Sequence, residues 1–186
     1  MNFGFLLLLL AFTLLYALIL RMRSRKNFVG IGYDIHAFAA PEAGRSLVLG
    51  GVTIEHPVGL DGHSDADVLC HAIADAVLGA VGEADIGHHF PNTDESIRGI
   101  SSLEIVRRSA ELVAQQKGRI VNIDSTLIAE APKIAAHLPA MRQNLAAALG
   151  IDPRRVGIKA TTHERLGALG RKEGIAAMAV ASVEMP

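Results

Sequence analysis

The run Phe3–Leu20 carries no charged residue and is followed at once by Arg21, Arg23, Arg25 and Lys26. A stretch this apolar divides the chain into an N-terminal segment, residues 1–27, and a remainder, residues 28–186. Its length is at the low edge of the roughly 17–25 residues that span a bilayer, and basic residues after it would hold the rest of the chain in the cytoplasm. An export signal has the opposite order, with charges before the apolar run and small residues at a cleavage site after it. A second reading takes Met22 as the start of the functional chain. Both readings place residues 28–186 in the cytoplasm, and membrane contact is expected only if residues 3–20 are retained.

The remainder suits one globular domain. With 18 Lys and Arg against 19 Asp and Glu, the chain lacks the excess positive charge that nucleic-acid binding demands, so no nucleic-acid partner is expected. The single cysteine, Cys70, excludes an internal disulfide framework. Gly and Pro punctuate short β-prone runs, giving expected strands over 28–33, 46–49, 51–54, 120–129, 155–161 and 175–184. Helices are expected over 65–81, 103–117 and 134–149. The second has apolar residues at helical spacing and a capping-box start, Ser101 with Glu104. Strands and helices interleave without regular alternation, so the expected fold class is α+β, a mixed sheet with helices packed on one face.

Polar residues that packing would not choose fall into four clusters. In Tyr33-Asp34-Ile35-His36, two residues two apart on a strand project from the same side, presenting a carboxylate and an imidazole together. In the second cluster, from Gly62 to Asp75, Ser64 with Asp67 has the form of a helix N-cap beside His63, a candidate phosphate seat. Asp67, His71 and Asp75 share one helical face. A solvated polar stripe explains Asp67 but not Asp75, whose charge opposes the helix dipole. His71 with Asp34 and His36 would make a three-ligand zinc site of the catalytic type, and Cys70 reads as a small buried apolar residue.

The third cluster, Ala84 to Asp94, reads as a loop in which Asp85 accepts hydrogen bonds from sugar hydroxyls, with His88 and His89 exposed. The fourth runs from Lys159 through Thr161, Thr162 and Glu164 to Gly170-Arg171-Lys172-Glu173-Gly174. It offers hydroxyls, a carboxylate and an Arg to a phosphate and a hard divalent cation.

In this order the clusters resemble the 2-C-methyl-D-erythritol 2,4-cyclodiphosphate synthase family, from about Val29 to Val183. The resemblance rests on G-x-D-x-H at 32–36, H-S-D-x-D-V-x-x-H at 63–71 and D-I-G-x-x-F-P at 85–91. It continues through A-P-K at 131–133, K-A-T-T-x-E at 159–164 and G-R-x-E-G-I at 170–175. It implies zinc on Asp34, His36 and His71, and a magnesium or manganese ion held by Glu164 between the substrate's phosphates. His63 and Ser64 are implied at the phosphate-bearing part, Asp85, Ile86 and Gly87 at the polyol, and Ala129 to Ala135 with Lys133 at the cytidine. Thr161 and Thr162 fall at the diphosphate, with His63 and Thr162 as the catalytic donors. Phe90, Asp94, Ala168 and Arg171 complete the implied substrate set.

The implied reaction is intramolecular phosphoryl transfer with loss of CMP, in non-mevalonate isoprenoid precursor biosynthesis. The implied assembly is a homotrimer with active sites shared between subunits. Two positions depart from the family pattern: Ala168 stands where an aromatic residue is common, and Asn92 where an acid is frequent. The alternative is a non-catalytic, zinc-stabilised trimer that binds a nucleotide or polyphosphate.

Overall fold

The computed structural model describes residues 3–23 and 25–186, with the side chains of the first helix described over 4–18. The elements run α1 (Phe3–Arg23), β1 (Lys26–Ala37), β2 (Leu47–Leu49), β3 (Val52–Ile54), α2 (Val68–Ala80) and α3 (Ile86–His89). They continue through α4 (Ser102–Gln115), β4 (Arg119–Ile128), α5 (Leu138–Leu149), β5 (Val156–Thr161), α6 (Gly167–Gly170) and β6 (Gly174–Met185). Four strands form one sheet in the order β1-β6-β4-β5, antiparallel except for the β4–β5 pair, and β2–β3 is a separate hairpin. The sheet is therefore mixed and the class α+β, as expected.

Pleating gives the sheet two different faces. On the inner face Ile123, Leu127, Ile158, Ala177, Ala179, Ala181 and Val183 meet buried residues of α2, α4 and α5. The closest approach is α2 on β1. A Cβ at Gly30 would lie 2.0 Å from the Ala76 carbonyl oxygen, and one at Gly32 would lie 2.0 Å from that of Ala72. The opposite face leaves Val29, Ile31, Tyr33 and Ile35 of β1 and Met178 and Val180 of β6 exposed. Pairing sets Ile31 beside Val180 and Tyr33 beside Met178, so these residues form one contiguous apolar surface.

Several boundaries depart from expectation for physical reasons. β1 continues to Ala37 because β6 pairs with it along its whole length, which places Asp34 and His36 inside the strand. α2 begins at Val68 rather than residue 65, and Asp67, not Ser64, is its N-cap. Asp67 is wholly buried rather than part of a solvated stripe; one oxygen accepts the Cys70 N–H (3.1 Å) and the other the Gly51 N–H (2.7 Å). Burial pushes its carboxyl above the usual range despite these bonds.

Cys70 is buried, as expected, and donates its thiol to Asp67. α4 lacks the capping box: Ser101 makes no side-chain cap bond, and Glu104 pairs instead with Arg107 and Arg108. α1 forms over the apolar run with its large side chains exposed. Among the described residues no helix is long and apolar enough to cross a membrane. The side chains of Arg21, Met22 and Arg23, on which the reading of the basic flank rests, lie outside the described residues.

Two outcomes follow for stability. Gly32→Ala should destabilise by about 3 kcal/mol, because backbone on both sides must separate. Gly82→Ala, at φ +75° with open space around it, should cost only the left-handed strain of about 1 kcal/mol; equal denaturation midpoints for the two variants would contradict the packing account. Asp67→Ala orphans two buried N–H groups and should cost about 3 kcal/mol. Asp67→Asn, which retains an acceptor, should cost clearly less in the same urea titration.

Candidate metal and substrate site

The short distance between β1 and α2 decides what meets between them. Asp34 and His36 follow Gly32 on the inner side of β1, and His71 precedes the Ala72 whose carbonyl lies over Gly32. Asp34 Oδ2 lies 2.9 Å from His71 Nδ1 and 3.0 Å from His36 Nε2, and the two imidazole nitrogens are 3.2 Å apart. All three ligand atoms fall within 4.8 Å of one another, and among the described residues this is the one such cluster of metal-ligating side chains.

Each side chain is held from behind. Asp34 Oδ1 accepts the Ile35 N–H at 2.9 Å. His36 Nδ1 lies 2.5 Å from the Asp61 carbonyl, which only accepts, so Nδ1 carries the proton and Nε2 keeps its lone pair for the cluster. His71 Nε2 lies against the hydroxyls of Ser102 (2.9 Å) and Ser64 (3.1 Å). A carboxylate oxygen and two imidazole nitrogens converging in this way suit a divalent cation with a position left over for substrate.

The electrostatics agree. Burial alone would raise the Asp34 carboxyl, but hydrogen bonds and charge from His36 and His71 outweigh it and hold it far below the usual range. Burial would lower His36, yet the Asp34 carboxylate beside it raises its pKa above the ordinary imidazole value. A proton on His36 therefore competes with a cation up to higher pH than on a free imidazole. Metal affinity should fall as pH drops through neutrality, and calorimetry in buffers of different ionisation enthalpy should record proton release on binding. A pH-independent affinity without proton release would contradict the assignment.

The cluster sits in a cavity of about 580 Å³ lined also by His63, Ser64, Ile86, Gly87 and Phe90. His63 Nε2 lies 3.1 Å from the Asp94 carbonyl, while the Asp94 carboxylate turns to the Ser96 N–H. Residues 86–89 form a helical turn rather than a loop, because Asp85 caps it through the His88 N–H (3.0 Å) and Asp75 accepts the Ile86 N–H (2.8 Å). Asp75 thus ties α3 to α2. His88 is exposed as expected; His89 is half-buried, its Nε2 3.6 Å from Glu83. Ser64, expected as a helix cap, is instead buried, its hydroxyl bonded to the Ala66 N–H and close to His71 and Ser102.

The remaining expected site residues gather elsewhere. Thr161 ends β5 at one edge of the sheet and β1 forms the other; Ile35 and Thr161 fall in one row across Ala176 and Ile128. Three strand spacings, about 14 Å, separate them. Thr162 donates to Glu164 (3.0 Å), Ala129 donates its N–H to the Thr161 carbonyl, and Lys133 is exposed. Arg171 pairs with Glu173 at 2.6 Å, and Ala168 is exposed on α6. None of these lines the cavity around His71.

Sequence reasoning missed the organising roles of two residues, Glu130, within the segment read as the cytidine site, and Arg45. Glu130 accepts the N–H groups of His163 (3.1 Å) and Arg165 (2.8 Å), holding the loop that carries Glu164 at positive φ. Arg45 donates to the carbonyls of Leu60 and Ser64, fixing the segment before α2. Their partners lie 15 to 35 residues away, beyond any local spacing signal.

Comparison with known proteins places the chain in a family. The YgbB family model matches residues 28–184. The 2-C-methyl-D-erythritol 2,4-cyclodiphosphate synthase of Akkermansia muciniphila is 61% identical over 165 residues, covering 89% of this chain and 96% of that protein. Among solved structures, the bifunctional IspDF from Campylobacter jejuni aligns with TM-score 0.82 and 39% identity over 88% of this chain, which spans 43% of that larger protein. The CDP complex of Plasmodium falciparum IspF aligns with TM-score 0.73 and 34% identity, covering 86% of this chain and 96% of the other. The Asp34–His36–His71 cluster, the cavity and the sheet thus occur together in a chain that belongs to the YgbB family.

Proposed function

We propose that this enzyme converts 4-diphosphocytidyl-2-C-methyl-D-erythritol 2-phosphate to 2-C-methyl-D-erythritol 2,4-cyclodiphosphate and CMP, in the cytoplasm. The observation that carries the reading is the Asp34–His36–His71 cluster opening into a cavity beside His63, in a chain so similar to a synthase of that name. The donor set of one oxygen and two nitrogens suits zinc at this cluster, and the Glu164 carboxylate suits magnesium or manganese. When bound, such cations neutralise phosphate charge and polarise phosphorus–oxygen bonds.

An oxygen of the 2-phosphate bonds to the β-phosphorus as the β-phosphorus–oxygen bond to CMP breaks, and CMP leaves with the electron pair. The nucleophile is already an anion, so the protein's task is alignment and charge stabilisation. His63, whose Nε2–H rests on the Asp94 carbonyl in the free protein, turns that N–H to the phosphate when substrate binds, and Thr161 and Thr162 donate to the diphosphate. Asp85 keeps one oxygen on the His88 N–H and offers the other to the polyol, beside Ile86 and Gly87. The segment from Ala129 to Ala135, with Lys133, receives the cytidine.

Two observations favour a homotrimer with shared sites. The outer sheet face is a continuous apolar surface with Ile31 66% exposed, and such a face calls for a partner. The residues expected around the substrate also fall at opposite sheet edges of one chain, so a neighbouring copy supplies the second group in a closed ring. α1 takes no part in this scheme, and protein begun at Met22 should keep full activity.

The test follows CMP and cyclic diphosphate by phosphorus NMR. Wild-type protein should form both; His71→Ala and Glu164→Gln should each lose about 100-fold in turnover, Glu164→Gln with the zinc retained. Refolding the two variants together should restore about a quarter of the sites if neighbouring subunits complete one another. No product from wild-type protein would move the weight to a nucleotide-binding role. Product without recovery in the mixture would place each site within one chain.

A further inference from the structure

His71 is contacted on both ring nitrogens, and the contacts on its far side form a directed chain. Nε2 lies 2.9 Å from Ser102 Oγ. Ser102, wholly buried at the first position of α4, sets its hydroxyl 2.5 Å from Asp65 Oδ1 and its backbone N–H 3.1 Å from Asp65 Oδ2. Asp65 also accepts the Asp67 N–H at 3.2 Å. A carboxylate only accepts, so the single Ser102 hydroxyl proton goes to Asp65. The Ser102 oxygen then has only lone pairs to offer, and His71 Nε2 must carry the proton between them.

Ser64 fits the same assignment. Its oxygen accepts the Ala66 N–H at 3.0 Å, and its proton points to Ser102 Oγ at 3.2 Å. Every polar atom of the network is satisfied in this direction. In the reverse tautomer only the Ser64 hydroxyl, 3.1 Å away, could donate to His71 Nε2, which would leave the Nε2 lone pair facing the Ser102 oxygen lone pairs at 2.9 Å and His71 Nδ1–H directed at the site of the cation.

We infer that Asp65 and Ser102 are positioning residues that lock His71 in its Nε2-protonated tautomer and so present the Nδ1 lone pair to the metal. The inference rests on the reading of Asp34, His36 and His71 as the metal ligands. It also accounts for the absent capping box of α4. Asp65, from the segment before α2, takes the N–H of the first residue of α4 and the hydroxyl on the same residue, joining the start of that helix to the back of a metal ligand.

The test uses the full-length protein, stripped of metal and titrated with zinc against a chromophoric chelator, alongside thermal unfolding of the metal-free form. Ser102→Ala keeps the backbone bond to Asp65 and removes only the relay. It should weaken zinc binding by about 10- to 100-fold, with the melting temperature of the metal-free protein nearly unchanged. Asp65→Asn should weaken it in the same direction, and Ser101→Ala, next to the relay but outside it, should bind as wild type. Nitrogen-15 NMR of the zinc-loaded protein should place the His71 proton on Nε2. Wild-type zinc affinity in Ser102→Ala, a loss matched by equal unfolding of the metal-free protein, or a proton on Nδ1 would each overturn the relay. Failure of wild-type protein to bind zinc would instead overturn the metal reading beneath it.

Discussion

The site depends on a helix lying closer to a strand than side chains ordinarily allow. Gly30 and Gly32 leave β1 bare where the carbonyls of Ala76 and Ala72 descend on it, so α2 rests on backbone rather than on a layer of side chains. One residue along the helix and two along the strand from the Gly32–Ala72 contact, His71 meets Asp34. A spacing set by ordinary aliphatic packing would separate the same side chains by a further side-chain layer, and no cluster of ligands would form. The energetic counterpart is that Asp34, half-buried, remains ionised through hydrogen bonds and positive charge from His36 and His71 when no cation is bound.

The other half of the chemistry is arranged on a different principle. Where the first group is built by buried packing, Thr161 ends β5 and Thr162 and Glu164 stand on the exposed loop after it, which Glu130 braces through two backbone N–H bonds. An exposed, braced loop at the far edge of the sheet has little to act on within one chain. In the proposed trimer it would lie against a neighbour's cavity and offer hydroxyls and a carboxylate to a diphosphate. The bare apolar face of β1 and β6 and the separation of the two residue groups across the sheet are the two features that the proposed assembly would use.

Much of this was legible in the sequence, and the limits have a common cause. Alternation of two along β1 was enough to put Asp34 and His36 on one side, and the pairing partner at β6 only lengthened the strand. Helical spacing likewise gave α2 its extent to within a few residues. What local spacing misjudged were the side chains whose partners are distant in sequence. Ser64 and Asp67 exchange roles at the start of α2 because the hairpin turn at Gly51 offers Asp67 a second donor, and Ser101 loses its capping role because Asp65, 37 residues from Ser102, reaches across. Asp75, which opposed the helix dipole, becomes intelligible once Ile86 donates to it from the next helix.

Anomalous diffraction at the zinc edge from crystals of zinc-loaded protein would show which atoms converge on the metal. The account predicts one strong peak per chain bonded to Asp34 Oδ2, His36 Nε2 and His71 Nδ1, with Ser102 still on His71 Nε2. No peak there, or a zinc bonded through His71 Nε2 with Ser102 displaced, would contradict it.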